Sequence, residues 1–280
     1  MAIPRVLSIA GSDSGGGAGI QADLKAFAAC GAHGMTAITA ITAQNTVAVS
    51  HVHHVPAEII VAQVRAVAED IGVDAVKIGM LGTQETIEAV AEALELLQPS
   101  VPVVLDPVMV AESGAVLLEG SARLALVERL FPHATVVTPN VPEARAIVAA
   151  AHGRPGQSAP GSTDTPADAP GDPPKELVQK IRALGPDVVV LTGGHREEAV
   201  DLFYDGNECV EIPGPRHPDG AAHGSGCTHS SLLAARLAWG DDALTAARTA
   251  KRMVSQAIAG GLRELGQGAG PVHVLAPEAG

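Results

Sequence analysis

Two glycines and a cysteine stand at the start of a predicted helix in the C-terminal part of the chain. The run Gly224-Ser225-Gly226-Cys227 precedes the apolar segment Leu232–Ala235. A helix start exposes unpaired backbone N–H groups at the positive end of the helix dipole, so it can bind an anion. Such groups stabilise the charge that develops on a phosphoryl group during transfer. We therefore predict an anion hole at Gly224, Ser225 and Gly226.

Cys227 falls in the first turn of this helix, where we expect the dipole to lower the pKa of its thiol. The thiol could then accept a proton from a substrate hydroxyl, or orient that hydroxyl. One alternative is a buried structural cysteine. Another is a Cys–His nucleophile with His223 or His229, but His229 stands two residues on in a helix and should point away from Cys227.

A glycine-rich turn, Gly11–Gly19, follows the first predicted strand. Glycines allow the backbone to approach a ligand closely. Residues 17–22 match the relaxed dinucleotide fingerprint, but no acidic residue occurs from Leu24 to Ala57 to bind a ribose. No lysine completes a P-loop either. We expect a turn that places a small ligand against the backbone near Asp13 and Asp23; the alternative is a turn that serves only packing.

Oxygen-bearing side chains follow two further predicted strands. Asp106 comes directly after residues 101–105, and Asn140 and Glu143 follow residues 135–138. The carboxyl ends of parallel strands face the ligand crevice of an open α/β sheet. Mg²⁺ prefers oxygen ligands, so we predict a magnesium site at Asp106 and Glu143, with Asn140 close by. The alternative is that both acids are ordinary first-turn residues favoured by the helix dipole.

Two weaker signals remain. The run Thr192-Gly193-Gly194-His195 ends another predicted strand, and its glycines would again let a ligand approach the backbone, whereas His195 could simply cap the turn. The histidines at 51, 53 and 54 have no nearby Cys, Asp or Glu and no i, i+4 pair, so we expect an exposed hairpin rather than a metal site.

Short apolar runs alternate with helical segments along the chain, which predicts a parallel sheet covered by helices on both faces. The turn Asp205-Gly206-Asn207 predicts a hairpin, and residues 227–239 and 242–263 predict two closing helices. Residues 153–174 are rich in Pro, Gly, Ser, Thr and Asp. We expect a flexible insertion there, within a single domain that spans residues 1–280.

The composition restricts the possible partners. The net charge is −13 and only 2% of residues are aromatic, which disfavours binding to nucleic acid or an anionic membrane. The three cysteines form no CxxC pair, so neither a disulfide framework nor a structural zinc site is expected. The N-terminus does not resemble a signal peptide and no apolar run is long enough to cross a bilayer. We expect a cytoplasmic protein.

Taken together, these motifs resemble the hydroxymethylpyrimidine/phosphomethylpyrimidine kinases of thiamine biosynthesis, within the ribokinase-like superfamily. The resemblance extends from Val6 to about Leu265. Its motifs are Gly11–Lys25, Thr42–Thr46, Asp74–Leu81, Leu105–Val110 with Ser113-Gly114, Thr138–Asn140, Gly193–His195 and His223–Thr228. It implies a three-layer αβα sandwich around a mostly parallel sheet of roughly eight or more strands. It also implies ATP-dependent phosphorylation of 4-amino-5-hydroxymethyl-2-methylpyrimidine and then of its monophosphate.

The resemblance also implies residue roles. Gln44 would hydrogen-bond the aminopyrimidine, in a pocket lined by Gly11, Asp23, Met80 and Val108. Cys227 would lie beside the reacting oxygen, where sugar kinases of the superfamily carry an aspartate base. The residues expected to face Mg-ATP are Asn140, Glu143, Thr192, Gly194 and Lys251. Many relatives carry lysine at the position of Thr192, so Lys251 or Mg²⁺ would have to supply that charge here.

Two other functions stay open at this point. The glycine-rich turns are shared with pyridoxal and pyridoxine kinases of the same superfamily. A protein that senses the pyrimidine without catalysis is the second alternative, which the Cys227 turn disfavours and Thr192 leaves open. We also expect a homo-oligomer, namely a dimer, and an insertion at 153–174 that is longer than the usual connection in the family.

Overall fold

The structure is a computed structural model, and it describes residues 2–153, 172–193 and 199–275. Its main sheet has eight strands. The first six along the chain are parallel to one another, and the last two join through antiparallel pairs, the seventh strand to the sixth and the eighth to the seventh. The strands are β1 (Arg5–Ala10), β2 (His33–Ile38), β5 (Ala75–Ile78), β6 (Val103–Leu105), β7 (Val136–Val137), β8 (Val188–Leu191), β9 (Asp201–Tyr204) and β10 (Cys209–Ile212). They lie in the order β10-β9-β8-β7-β6-β5-β1-β2.

Helices cover both faces of this sheet. They are α1 (Gly19–Ala29), α2 (Ala57–Asp70), α3 (Gln84–Leu94), α4 (Ala122–Leu130), α5 (Val141–Ala151), α6 (Pro174–Arg182), α7 (Ser225–Ala238) and α8 (Ala243–Ala259). Successive residues of a strand point to opposite faces. Leu7 and Ile9 of β1 accordingly pack in the core with α2–α6, whereas Val6 packs in a second core with α1, α7 and α8. The predicted three-layer αβα architecture is confirmed.

One predicted strand was wrong. The sequence indicated a continuous strand from Met35 to Thr42, but β2 ends at Ile38, and β3 (Ala40–Gln44) leaves the main sheet to pair with β4 (Val49–His54). The N–H of the buried Thr39 makes the last hydrogen bond of the β1–β2 ladder, to the Ala10 carbonyl, and its Oγ1 bonds the Met80 carbonyl at 2.8 Å. Beyond Thr39 the chain leaves the main sheet. The result is a hairpin that carries Gln44 away from the sheet.

The remaining boundaries agree closely with the sequence. The three histidines at 51, 53 and 54 are exposed on β4, as expected for a hairpin. The last helix ends at Ala259, earlier than predicted, where Gly260 and Gly261 follow. Most of the predicted insertion, residues 154–171, lies outside the described residues, and the single-domain organisation stays a prediction. Within the described part of the chain, no helix combines the length and apolar character needed to span a bilayer.

Candidate active site

A cavity of about 440 Å³ opens at the carboxyl ends of the parallel strands, beside the N-terminus of α7. Thirteen predicted site residues line it, from the loops after β1, β5, β6, β7 and β8, from the end of β3, from α5 and α8, and from the start of α7. They are Gly11, Gln44, Met80, Asp106, Val108, Asn140, Glu143, Thr192, Gly224, Ser225, Gly226, Cys227 and Lys251. Asp23 is not among the lining residues. Gly194 and His195 lie outside the described residues.

The order of the strands gives the cavity two ends. Gly11 and Met80 follow the adjacent strands β1 and β5, and with the β3–β4 hairpin they form what we call the β1–β5 end. Asn140 and Thr192 follow β7 and β8, and with β9 and α8 they form the β7–β9 end. Strand β6, which ends at Asp106, lies between the two. The cavity can therefore hold two ligands that meet near the start of α7.

The start of α7 has the geometry of an anion site. Gly224 adopts the left-handed conformation, with φ +76°, and a Cβ there would overlap the carbonyl oxygen of Gly17, so only glycine fits. The N–H of Ser225 bonds the Ala222 carbonyl at 3.0 Å. By contrast, no described residue accepts a hydrogen bond from the N–H of Gly226 or Cys227. These two groups remain for an anionic ligand.

Asp13 holds the glycine-rich turn against this helix start. Its carboxylate accepts the N–H groups of Gly15 at 2.8 Å, Gly17 at 3.0 Å and Ala18 at 2.8 Å, and His223 Nε2 lies 3.0 Å from Oδ2. Burial alone would raise the pKa of Asp13, but the hydrogen bond from His223 and those from the backbone outweigh it and lower the pKa. The sequence placed Asp13 near the ligand, but it did not reveal this link to His223, the residue before Gly224.

The prediction that Asp23 lines the ligand pocket was wrong. Asp23 is fully buried and binds Lys77 Nζ at 2.9 and 3.1 Å, and it also accepts the hydroxyls of Ser8 at 2.6 Å and Ser231 at 2.7 Å. A buried carboxylate needs such partners because desolvation is costly. Lys77, which the sequence analysis missed, lines the cavity instead.

Lys77 supplies a positive charge beneath the start of α7. Burial alone would lower the pKa of the Lys77 ammonium, but the carboxylate of Asp23, with a further contribution from Asp106, outweighs it and raises the pKa. Lys77 therefore stays charged at neutral pH. A lysine within an apolar strand gives no signal of this role in sequence; only the pairing with Asp23 across the sheet reveals it.

The expected activation of Cys227 was also wrong. Burial raises the pKa of the Cys227 thiol to about 12, and the nearby Asp106 and Asp23 add to this effect, whereas Lys77 and a hydrogen bond from the Gly19 N–H oppose it. The helix N-terminus does not compensate for this desolvation. Cys227 is a thiol at neutral pH, which disfavours its use as a covalent nucleophile.

Asp106 and Glu143 face the cavity at the ends of β6 and of the β7–α5 connection. Burial raises the pKa of Asp106, although Lys77 opposes the shift, and Ser230 Oγ lies 3.0 Å from its Oδ2. Burial raises the pKa of Glu143 to about 8, and the charge of Asp106 adds to this. Glu143 and Asn140 also cap α5 reciprocally, each side chain accepting the other's backbone N–H at 2.9 Å. The interpretation of Glu143 as a first-turn residue of a helix is therefore confirmed, and its part in a magnesium site stays a prediction.

Asp106 and Glu143 together suit a divalent cation that takes most of its ligands from water and substrate molecules and few from the protein. Both carboxyl groups have pKa values raised by burial, and a cation between them would relieve that cost. No group of three or more His, Cys, Asp or Glu side chains suited to a metal occurs among the residues that the structure describes. The donor set thus fits Mg²⁺, which needs few direct protein contacts, better than a resident transition metal.

The β7–β9 end has one further cation. Lys251 Nζ lies 2.7 Å from Asp201 Oδ1, and the same oxygen accepts the Gly193 N–H at 2.8 Å. Thr192 adds no charge, and its N–H is bonded to the Pro139 carbonyl at 2.9 Å. The sequence did not identify Asp201, because an acidic residue at the start of a hairpin strand carries no functional signal by itself. Its role becomes visible only from its contact with Lys251 of α8.

At the β1–β5 end Gln44 provides a neutral polar side chain. Ser14 Oγ holds Gln44 by bonding its backbone N–H at 2.8 Å and its carbonyl at 2.6 Å, and no described residue bonds the side-chain amide of Gln44. Met80 packs so closely on Gly11 that a Cβ at position 11 would lie 2.7 Å from Met80 Cε. A flat ligand could therefore stack against Met80 and pair with the Gln44 amide.

The site and fold define a nucleotide-dependent phosphotransferase class with a ribokinase-like fold, and comparison with known proteins agrees. The family model described as phosphomethylpyrimidine kinase matches residues 13–273. The chain is similar to the hydroxymethylpyrimidine/phosphomethylpyrimidine kinase of Rhizobium meliloti, at 47% identity over 95% of each chain. The chain belongs to the phosphomethylpyrimidine kinase family, which confirms the predicted family and enzyme class.

Two solved structures place this family beside another. The phosphomethylpyrimidine kinase of Clostridium difficile matches with a TM-score of 0.74 and 38% identity, covering 91% of this chain and 99% of that one. The pyridoxal kinase of Staphylococcus aureus, in complex with AMP-PCP and pyridoxal, matches with a TM-score of 0.81 and 32% identity, covering 99% of this chain and 96% of that one. Overall shape therefore does not separate the two substrate classes.

Proposed function

We propose that this protein transfers the γ-phosphoryl group of ATP to the hydroxymethyl group of 4-amino-5-hydroxymethyl-2-methylpyrimidine, and then a second one to the resulting monophosphate, for thiamine diphosphate synthesis. The observation that carries the proposal is the position of the α7 N-terminus between two unlike ends of one cavity, in a chain of this family. The free N–H groups of Gly226 and Cys227 bind the transferring phosphoryl group there.

The β1–β5 end receives the pyrimidine. The Gln44 amide pairs with the aminopyrimidine edge, and Met80 and Val108 contact the ring faces. Gly11 leaves room for Met80 and brings backbone close to the ligand. This arrangement selects a flat, neutral heterocycle and points its hydroxymethyl group at the start of α7.

The β7–β9 end receives the nucleotide. Lys251 neutralises a phosphate, and Asn140, Glu143 and Thr192 line the path of the triphosphate. Asp106 and Glu143 hold Mg²⁺, which neutralises charge on the phosphates when it is bound. Lys77, fixed by Asp23, adds a permanent positive charge beneath the reacting group.

Cys227 orients the attacking hydroxyl as a thiol. Phosphoryl transfer through a loose transition state depends mainly on positioning and electrostatic stabilisation, so a strong base is not required. Cys227→Ala is expected to lower kcat by about ten- to a hundredfold while the KM values change little. A variant with wild-type kcat and a raised KM for the pyrimidine would contradict this role.

A pyridoxal kinase is the second candidate, because the similar structure from Staphylococcus aureus contains pyridoxal. The decisive experiment is ATP consumption with each acceptor, followed by mass analysis of the products. We expect mono- and diphosphorylated pyrimidine and a higher kcat/KM for the pyrimidine. A preference for pyridoxal of about a hundredfold, roughly 3 kcal/mol, would reverse the assignment. No transfer to either acceptor would favour a sensing protein.

The quaternary state and location complete the proposal. The β3–β4 hairpin exposes three apolar side chains distributed over its two faces, which a second copy of this chain could cover: Ile41, Val47 and Val52, by 54%, 52% and 42%. We expect a dimer by light scattering, and an Ile41→Lys/Val52→Lys variant that is monomeric; a wild-type monomer would refute this. The three free cysteines are compatible with a cytoplasmic location, which fractionation of cells would test.

A further inference from the structure

His229 is a buried side chain, and the sequence analysis weighed it only as a possible partner of Cys227. It belongs to α7, is only 4% exposed, and lines the cavity. Neither ring nitrogen has a hydrogen-bond partner among the described residues. Its neighbours further along the helix, Leu232 and Leu233, are apolar and fully buried. A polar ring therefore occupies a position on the cavity wall where an apolar side chain would fit the surroundings.

The carboxylate of Asp201 links His229 to the β7–β9 end. His229 Nε2 lies 3.7 Å from Asp201 Oδ2, which is too long for a hydrogen bond. The other oxygen of the same carboxylate binds Lys251 and the Gly193 N–H. The imidazole therefore lies beside the ammonium group that faces the cavity at this end.

The protonation state of His229 makes its unpaired nitrogens significant. Burial lowers the pKa of the imidazole, and Lys251 adds to this, whereas Asp201 opposes it without reversing it. The ring is neutral at pH 7 and presents one N–H donor and one acceptor. Leaving both unpaired in a buried position costs stability. A ligand in the cavity that supplied a partner would recover that cost only when bound.

We propose that His229 is a nucleotide-binding residue, whose ring N–H donates a hydrogen bond to a phosphate oxygen next to Lys251. The inference rests on the proposed function in one respect, namely that a nucleoside di- or triphosphate occupies the β7–β9 end. The neutral ring adds a directed donor to the point charge of Lys251. It thereby fixes the orientation of the phosphate, which a flexible lysine alone does poorly.

The test compares ligand affinity with stability in the absence of ligand. Calorimetry measures the Kd of ADP, with and without magnesium, and of the pyrimidine, and thermal unfolding gives the Tm of each free protein. The apolar variants His229→Leu and His229→Met remove both ring nitrogens, and having two of them guards against a folding failure of one. His229→Gln keeps a donor and an acceptor. The matched control is His217→Leu, because the His217 ring already bonds Ser255 Oγ at 2.8 Å outside the cavity.

We expect the apolar variants to bind ADP about tenfold more weakly, since a lost hydrogen bond to a charged group is of that size. Their pyrimidine affinity should stay unchanged, and their Tm without ligand should rise. His229→Gln should remain within about threefold of the wild type for ADP. His217→Leu should lower the Tm and leave ADP binding intact. In the apolar His229 variants the Tm should thus rise while the affinity for ADP falls. A residue that served only to pack the interior would not give these opposite changes.

Three results would overturn the inference: unchanged ADP affinity in both apolar variants, an equal loss of pyrimidine affinity, or a wild-type protein that does not bind ADP. A wild type that binds ADP but transfers no phosphate to the pyrimidine would refute the proposed function alone. In that case the ADP comparison among the variants still decides the role of His229.

Discussion

At the β1–β5 end of the cavity, the carboxylate of Asp13 is hydrogen-bonded within the protein itself, whereas at the β7–β9 end the ammonium group of Lys251 faces the ligand space. The Asp13 carboxylate accepts hydrogen bonds from three backbone N–H groups and pairs with the ring of His223. Lys251, by contrast, shares one carboxylate with Gly193 and remains at the cavity wall. The difference indicates that one ligand is recognised by shape and neutral hydrogen bonds, and the other by charge.

Beneath the start of α7, where the two ends meet, lies the Asp23–Lys77 pair, on which we expect both ends to depend. Lys77→Met should lower the free energy of unfolding by about 3–5 kcal/mol, because it leaves Asp23 buried without its counter-ion. Urea unfolding measures this loss. The double variant Lys77→Met/Asp23→Leu should recover most of the stability while activity stays low. A stable, active single variant would show that neither end relies on the pair.

The Asp13 carboxylate should matter for stability more than for charge recognition. Asp13→Asn keeps one acceptor oxygen but cannot serve all four donors, so we expect a loss of about 1–3 kcal/mol at pH 7. The folded-state pKa is lowered from 3.8, so the stabilisation is present above pH 4 or so and is lost as the pH falls through the folded value. The difference in unfolding free energy between wild type and variant should therefore shrink below that pH. A constant difference would contradict the ionised role of Asp13.

What the sequence predicted well was local. Glycine spacing located Gly224, and strand ends located Asp106 and Asn140, because turn chemistry and the edge of a parallel sheet follow from nearby residues. What it missed depends on contacts between distant residues. Burial reversed the expected pKa shift of Cys227 and paired Asp23 with Lys77 across 54 positions.

The same reason explains the broken strand at Thr39. Its residue types favour a continuous strand, but its hydrogen bonds to Ala10 and Met80 are made by residues that only the folded sheet brings near. Asp201 escaped notice for a similar reason, and His229 was considered only as a partner of Cys227. A polar residue in an apolar stretch becomes informative only when its neighbours in space are known.

Charge recognition at the β7–β9 end predicts a selective effect on the nucleotide. Lys251→Met should raise the KM for ATP by about ten- to thirtyfold and leave the KM for the pyrimidine within about twofold, since a charged hydrogen bond is lost at one end only. Initial-rate kinetics with each substrate varied in turn measure both. The control is Lys180→Met, because Lys180 Nζ lies 2.5 Å from Asp172 Oδ2 and neither residue lines the cavity. Equal changes in both KM values would mean that the ends are not independent.

Neutral recognition at the β1–β5 end predicts the opposite and smaller effect. Gln44→Ala removes a neutral side-chain amide of the protein that pairs with a neutral edge of the pyrimidine. The KM for the pyrimidine should therefore rise by about five- to tenfold, near 1 kcal/mol, while the KM for ATP stays unchanged. Salt provides the sharper discrimination. Salt screens charge-dependent binding more than neutral hydrogen bonding. Raising the salt concentration should therefore increase the KM for ATP equally in the wild type and in Gln44→Ala. The ratio of the variant's pyrimidine KM to that of the wild type should stay constant. Gln256→Ala, on the exposed face of α8, is the matched control. A ratio that varied with salt would show that charge also governs the β1–β5 end, and the distinction between the two ends would not hold.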